Sequence, residues 1–141
     1  MTSLLNRLIA KAARHLYLRR HQKAWGETPQ LAVSVSNLCV ELEGRQVGLR
    51  MYHGQPDKPM VIYAHGGGFV IGSLETHDRF CRALSVGSGC SLVSIDYRLA
   101  PEYTFPAAHD DCLDATEWVI ENLENLAPNN GLFILAGDSA G

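Results

Sequence analysis

Ser139 lies in Gly137-Asp138-Ser139-Ala140-Gly141, directly after the apolar run Leu132-Phe133-Ile134-Leu135-Ala136. The pattern is G-x-S-x-G. A strand must turn sharply here so that the serine Oγ stands clear of the backbone. The flanking glycines remove Cβ atoms that would clash in so tight a turn. A serine presented this way is suited to nucleophilic attack on a carbonyl. A second pattern, His65-Gly66-Gly67-Gly68-Phe69, follows the apolar run Met60-Val61-Ile62-Tyr63-Ala64. Successive glycines let backbone N–H groups approach a ligand closely, and such donors hold the negative oxygen that acyl transfer creates. No G-K-[ST] follows, which disfavours a phosphate-binding loop. A flexible glycine-rich turn is the bland alternative.

Elements must bring these two motifs together. Residues 60–64, 91–95 and 132–136 are short apolar runs of the kind found in fully buried strands. Between them, residues 77–88 and 107–126 have helical periodicity, the latter stopped by Pro128-Asn129-Asn130-Gly131. Strand, helix, strand, helix, strand implies right-handed crossovers and a parallel sheet. Both motifs then leave the C-terminal ends of parallel strands, where open α/β sheets place their sites. Upstream, Val33, Val35, Leu38, Val40 and Leu42 suggest a strand whose alternation slips near Asn37. Glu43-Gly44 then turns it into Val47, Leu49 and Met51, an antiparallel hairpin.

Residues 3–25 read as an amphipathic helix ended by Glu27-Thr28-Pro29, with Leu4, Leu5, Leu8, Ile9 and Leu16 on one face. This segment carries six basic residues and no acid, although the whole chain of 141 residues has a net charge of −3. A mitochondrial transit peptide, a membrane-surface helix and a helix packed on the domain all fit that pattern. We favour the packed helix, its apolar face inward and its cations solvated. The remaining residues, with 6 basic against 15 acidic, exclude a generally basic nucleic-acid-binding surface. Cys39, Cys81, Cys90 and Cys112 form no C-x-x-C pair, and no secretory h-region precedes them. They read as free thiols in a reducing compartment, the cytoplasm. No apolar run approaches the roughly 20 residues that span a bilayer.

The sequence resembles the hormone-sensitive-lipase-like branch of the α/β-hydrolases, a group of carboxylesterases and lipases. The resemblance rests on Val61 to Phe69, on Ser94-Ile95-Asp96-Tyr97-Arg98-Leu99-Ala100-Pro101-Glu102, on Phe105-Pro106-Ala107-Ala108 with Asp110-Asp111, and on Leu135 to Gly141. It runs nearly continuously over about residues 30 to 141. It implies an α/β-hydrolase fold, here its N-terminal part over residues 30–141, with residues 1–29 an N-terminal helical cap element. It implies an acyl-enzyme mechanism on a small-molecule ester, without cofactor or metal. Ser139 would be the nucleophile, and Gly67, Gly68 and Ala140 would supply the oxyanion-hole N–H groups. His65, Gly66, Gly137 and Gly141 would support the two motifs. His65 is expected to orient its loop rather than act as base, and Asp138 to be structural. Arg98 is expected to pair with a nearby carboxylate and hold the loop after the second buried strand.

The family's triad runs Ser, then Asp or Glu, then His. Only two residues follow Ser139 in this sequence. We therefore expect an N-terminal fragment, cut at the nucleophile elbow, inactive and poorly soluble alone, with the apolar strand at 132–136 an exposed edge. Two other readings remain. One is a non-enzymatic binding or interaction protein on a hydrolase scaffold. The other is a chymotrypsin-like protease, because His65, Asp96 and Ser139 occur in that order.

Overall fold

The computed structural model describes residues 3–25, 33–128 and 131–141. The expected break at Glu27-Thr28-Pro29 and the boundary between residues 29 and 30 lie outside them, as do Asn129 and Asn130 of the second stop signal. In chain order the elements are α1 (Leu4–Trp25), β1 (Ser34–Leu42), β2 (Arg45–His53), β3 (Met60–Ala64), α2 (Leu74–Ser88), β4 (Ser91–Asp96), α3 (Ala107–Glu121), α4 (Leu123–Leu126) and β5 (Phe133–Gly137). They build one sheet in the order β1-β2-β4-β3-β5. The hairpin and the β2–β4 pair are antiparallel. β3 lies between β4 and β5, parallel to both. The expected hairpin leading into a parallel sheet is therefore present. An all-β protease is excluded by this helix-covered, partly parallel sheet.

Alternating side chains load the two faces of the sheet separately. On one face Leu49, Met51, Ile62 and Val93 pack with Ala115 and Val119 of α3. On the other, Tyr52, Tyr63 and Leu92 pack with Cys81 of α2 and Cys90. The apparent slip near Asn37 is explained by these two faces. β1 pairs with β2 without a bulge, from Ser34 opposite His53 to Leu42 opposite Arg45. Val33 and Val35 serve the α2 face, whereas Leu38, Val40 and Leu42 serve the α3 face. The strand changes the face it loads and keeps its register.

Two helix bounds differ from the sequence reading. α2 begins at Leu74, three residues before the expected start, because Ser73 and Thr76 cap it reciprocally: Ser73 Oγ accepts from Thr76 N at 3.2 Å and Thr76 Oγ1 accepts from Ser73 N at 2.9 Å. A threonine fills the role that Glu or Gln usually takes. The long helix expected over 107–126 breaks at Asn122, whose side-chain Nδ2 donates to the Trp118 carbonyl at 2.8 Å.

α1 corrects the sequence reading more deeply. Its apolar stripe faces outward: Leu4, Leu5 and Leu8 are 75%, 64% and 56% exposed. The side toward the domain carries buried Ala10 and half-buried Arg14, Tyr17, Leu18 and His21. Arg14 makes the attachment. Its guanidinium donates to the Val70 carbonyl at 2.7 Å, to the Ala100 carbonyl at 2.6 Å and to both Glu102 oxygens at 3.0 and 2.7 Å. One of the cations expected in solvent is thus the anchor.

β5 is an apolar edge, as expected. Phe133, Ile134 and Leu135 are 41%, 48% and 62% exposed. An apolar groove of about 340 Å³ opens beside Gly141, floored by Ile62 and Ile95 and walled by Cys112 and Leu135. Among the described residues no helix is long and apolar enough to cross a membrane.

Arg98 finds its carboxylate. Asp111, fully buried on α3, accepts from Arg98 Nε and Nη2, each at 2.8 Å, from Arg98 N at 2.9 Å and from Arg45 Nε at 2.7 Å. Burial alone would raise the Asp111 pKa, but the hydrogen bonds from Arg98 and Arg45 outweigh it and hold the carboxyl below the usual range. A depressed folded-state pKa stabilises above the unfolded value, near 3.9, and that contribution is lost as pH falls through the folded value. We predict that Arg98→Ala lowers the melting temperature and costs about 2 kcal/mol at neutral pH. Asp111→Asn should be destabilised at pH 7, with its difference from the wild type shrinking below about pH 4 in urea titrations.

Candidate active site

The register fixes where the loops emerge. Ala64 at the end of β3 sits opposite Ile95 of β4 and Gly137 of β5. The glycine loop, the Tyr97-Arg98 segment and the serine turn therefore leave one edge of the sheet side by side.

At the serine turn the backbone closes on itself. Gly141 N donates to the Asp138 carbonyl at 2.9 Å. A Cβ on Gly141 would lie 2.1 Å from the Ala64 carbonyl oxygen, so no larger residue fits there without movement. Ser139 has φ 55, a left-handed conformation that costs a non-glycine residue roughly 1–3 kcal/mol. These are the features expected of a strained elbow.

The glycine loop is held from inside. His65, 0% exposed, donates through Nδ1 to the Gly66 carbonyl at 2.9 Å. Gly67 O accepts from Val70 N at 3.2 Å and from Ile71 N at 3.0 Å. In a trans peptide the following N–H points opposite to the carbonyl. The N–H groups of Gly67 and Gly68 are thereby turned away from the loop's own interior. Gly67 has φ 130, and a Cβ there would lie 2.1 Å from the Ile71 carbonyl oxygen.

Asp138 joins the two motifs. Its Oδ1 accepts from Gly66 N at 2.8 Å and makes a very short hydrogen bond with the Tyr63 hydroxyl. Burial pushes this carboxyl up, but the Tyr63 hydroxyl and the Gly66 N–H more than offset that and lower its pKa. The Tyr63 phenol is raised, first by burial and then by the same carboxylate. His77 of α2 brings Nε2 to 3.6 Å from Oδ1. On the other flank, Tyr97 stacks on His65 with ring centroids 4.3 Å apart and donates to the His65 carbonyl at 2.5 Å. Burial lowers the His65 pKa, so the ring is held neutral.

The structure thus joins the two motifs at Gly66 with Asp138 and at His65 with Gly141; Gly67 and Gly68 continue the one loop, and Ser139 and Ala140 lie in the turn framed by Gly137 and Gly141. It does not bring Asp96 to them. The Asp96 carboxyl accepts from the backbone of Leu74, and its pKa is raised mainly by burial. Tyr63, His77 and Arg14 were not singled out from sequence. Tyr63 reads as one more apolar strand residue and His77 as one helix residue among many.

A family profile described as "alpha/beta hydrolase fold" matches residues 61–141, from the second residue of the apolar run before the glycine loop to the end of the serine turn. The chain belongs to the α/β-hydrolase family, in its hormone-sensitive-lipase-like branch. The chain is 44% identical over 112 residues to Esterase LipI of Mycobacterium tuberculosis, covering 76% of this chain and 35% of the relative. It is 38% identical over 104 residues to an ethyl acetate hydrolase of Pseudomonas putida, covering 70% and 33%. Among solved structures, the Pyrobaculum calidifontis esterase superposes with a TM-score of 0.82 at 41% identity, covering 94% of this chain and 44% of that one. An ester hydrolase from the metagenome of Lake Arreo gives 0.84 at 36% identity, covering 94% and 43%. The chain spans about a third of the length of these curated relatives.

Adjacent glycines in this α/β-hydrolase loop differ in what they require. Gly68 has φ 59, and a Cβ there would meet nothing within 4 Å. We predict that Gly67→Ala costs about 3 kcal/mol and Gly68→Ala about 1 kcal/mol, read from urea midpoints of the two variants. Equal losses would contradict the close approach of Gly67 to Ile71.

Proposed function

We propose that residues 1–141 supply the nucleophile and oxyanion hole of a serine carboxylic-ester hydrolase acting on small-molecule esters. The observation that carries this reading is the left-handed Ser139 at the end of β5, beside a loop whose Gly67 and Gly68 N–H groups turn away from its own core. Ser139 Oγ attacks the ester carbonyl, and the tetrahedral oxygen is held by the N–H groups of Gly67, Gly68 and Ala140. Each such donor contributes roughly 3 kcal/mol to the transition state. α1 serves as part of a cap over the site. The free, buried Cys81 and Cys90 fit a reducing compartment such as the cytoplasm.

The base and its acid are not among these residues in this reading. His65 is buried and spends Nδ1 on its own loop, and His77 faces Asp138 rather than the serine. A serine hydroxyl without a base stays protonated and attacks poorly. We therefore expect residues 1–141 alone to show no Ser139-dependent turnover of p-nitrophenyl butyrate. Joining them at Gly141 to the corresponding C-terminal portion of the ethyl acetate hydrolase should restore turnover. In that chimera, Ser139→Ala should reduce kcat by at least about 10⁴-fold. A cooperatively melting chimera with no Ser139-dependent activity would overturn the assignment, and Ser139-dependent turnover by residues 1–141 alone would overturn the missing base.

A further inference from the structure

His77 lies where α2, β3 and the two motif loops meet, and neither the motifs nor the family comparison gives it a role. It is 7% exposed. Its ring stacks on His65 with centroids 5.3 Å apart and an interplanar angle of 22°, and sits 6.1 Å from the His21 ring of α1. Nδ1 is 2.9 Å from the hydroxyl of Thr76, the residue that caps α2. Nε2 is 3.6 Å from Asp138 Oδ1, the same oxygen that receives the Gly66 N–H and the Tyr63 hydroxyl. One carboxylate oxygen is thus approached by groups from α2, β3 and the glycine loop. Gly66 immediately precedes the first proposed oxyanion donor, and Asp138 immediately precedes the nucleophile.

We propose that His77 is a positioning residue for the oxyanion hole: its Nε2–H holds the Asp138 carboxylate in the orientation that ties Gly66 to the serine turn. This rests on the hydrolase reading for its functional meaning, but the mechanical link does not. This role has the Thr76 hydroxyl donate to Nδ1 rather than to the Ser73 carbonyl, 3.0 Å away; the neutral ring then carries its hydrogen on Nε2, as the imidazolium also does. In either state a donor on a buried ring lies 3.6 Å from a carboxylate whose side chain is 46% exposed. The polar link of His77 to the glycine loop runs through Asp138, and its ring also reaches that loop by stacking on His65.

Two substitutions separate this role from packing. His77→Phe keeps an aromatic ring to stack on His65 and removes the N–H. His77→Gln loses the ring and places an amide N–H near the position of Nε2. Hydrogen exchange of the Gly66 amide in the 141-residue chain reads the link, with the Val93 amide of β4 as a control for global stability. We expect His77→Phe to accelerate Gly66 exchange on the order of tenfold with Val93 unchanged, and His77→Gln to restore most of the protection. In an Asp138→Asn background, which keeps an acceptor for Gly66, His77→Phe should add little. Protection retained by Phe and lost by Gln would assign His77 to packing and overturn the proposal. Equal acceleration at Gly66 and Val93, or an undiminished effect in the Asp138→Asn background, would overturn it too. None of these results depends on turnover, so they stand apart from the activity of the chimera.

Discussion

The pairing of β3 on both sides is the constraint on which the rest depends. A central strand has no free edge, so its C-terminal end can present loops only upward, between those of its neighbours. Ala64 is level with Ile95 and with Gly137, and this register decides that three loops distant in sequence share one edge. Parallel pairing requires crossovers, and the crossovers are the helices that cover the two faces. The apolar content of β3 follows. Met60, Val61, Ile62 and Tyr63 are all buried because both faces are roofed. Met60 and Ile62 load one core and Val61 and Tyr63 the other.

Above that edge the fold changes from apolar packing to backbone contact and polar links. Gly141 approaches the Ala64 carbonyl closely, and the Asp138 side chain receives a backbone N–H from the neighbouring loop. Ser139 and Phe69 are both non-glycine residues with positive φ, at 55 and 62. Such conformations persist only where surrounding bonds over-determine them. Here the determination comes from Asp138 on one side and from the Tyr97–His65 stack with its hydroxyl-to-carbonyl bond on the other. A site built this way keeps its geometry through a few directional bonds, and removing one of them acts locally before it acts on the whole fold.

The parts legible in the sequence were those determined locally. The three buried strands are continuous apolar runs, and the two glycine-bearing motifs carry their own steric logic. Asp111 was readable only as a likeness and Arg98 only as a cation in search of a carboxylate. The misreadings share a cause. Thr76 caps α2 in place of a longer acceptor, and Asn122 bends a helix whose apolar period continues past it. β1 alternates correctly but loads first one face and then the other, a switch visible only once both helices are in place. Tyr63 and His77 became site residues through Asp138, which is 75 positions away from Tyr63. No local pattern encodes a partner at that separation.

α1 shows how such a misreading can be informative. An amphipathic pattern says that an apolar stripe is to be covered, and it does not say by which surface. Here the stripe is turned outward and the helix is held through Arg14. The four hydrogen bonds of that guanidinium end on Val70, Ala100 and Glu102, which belong to the loops after β3 and β4. The attachment is therefore made to the site's own rim and not to the hydrophobic core. Because a partly exposed polar attachment contributes much less than a buried apolar face, α1 belongs to the low-stability end of this domain. That suits the proposed cap: a helix attached through Arg14 to the loops that frame the proposed oxyanion hole.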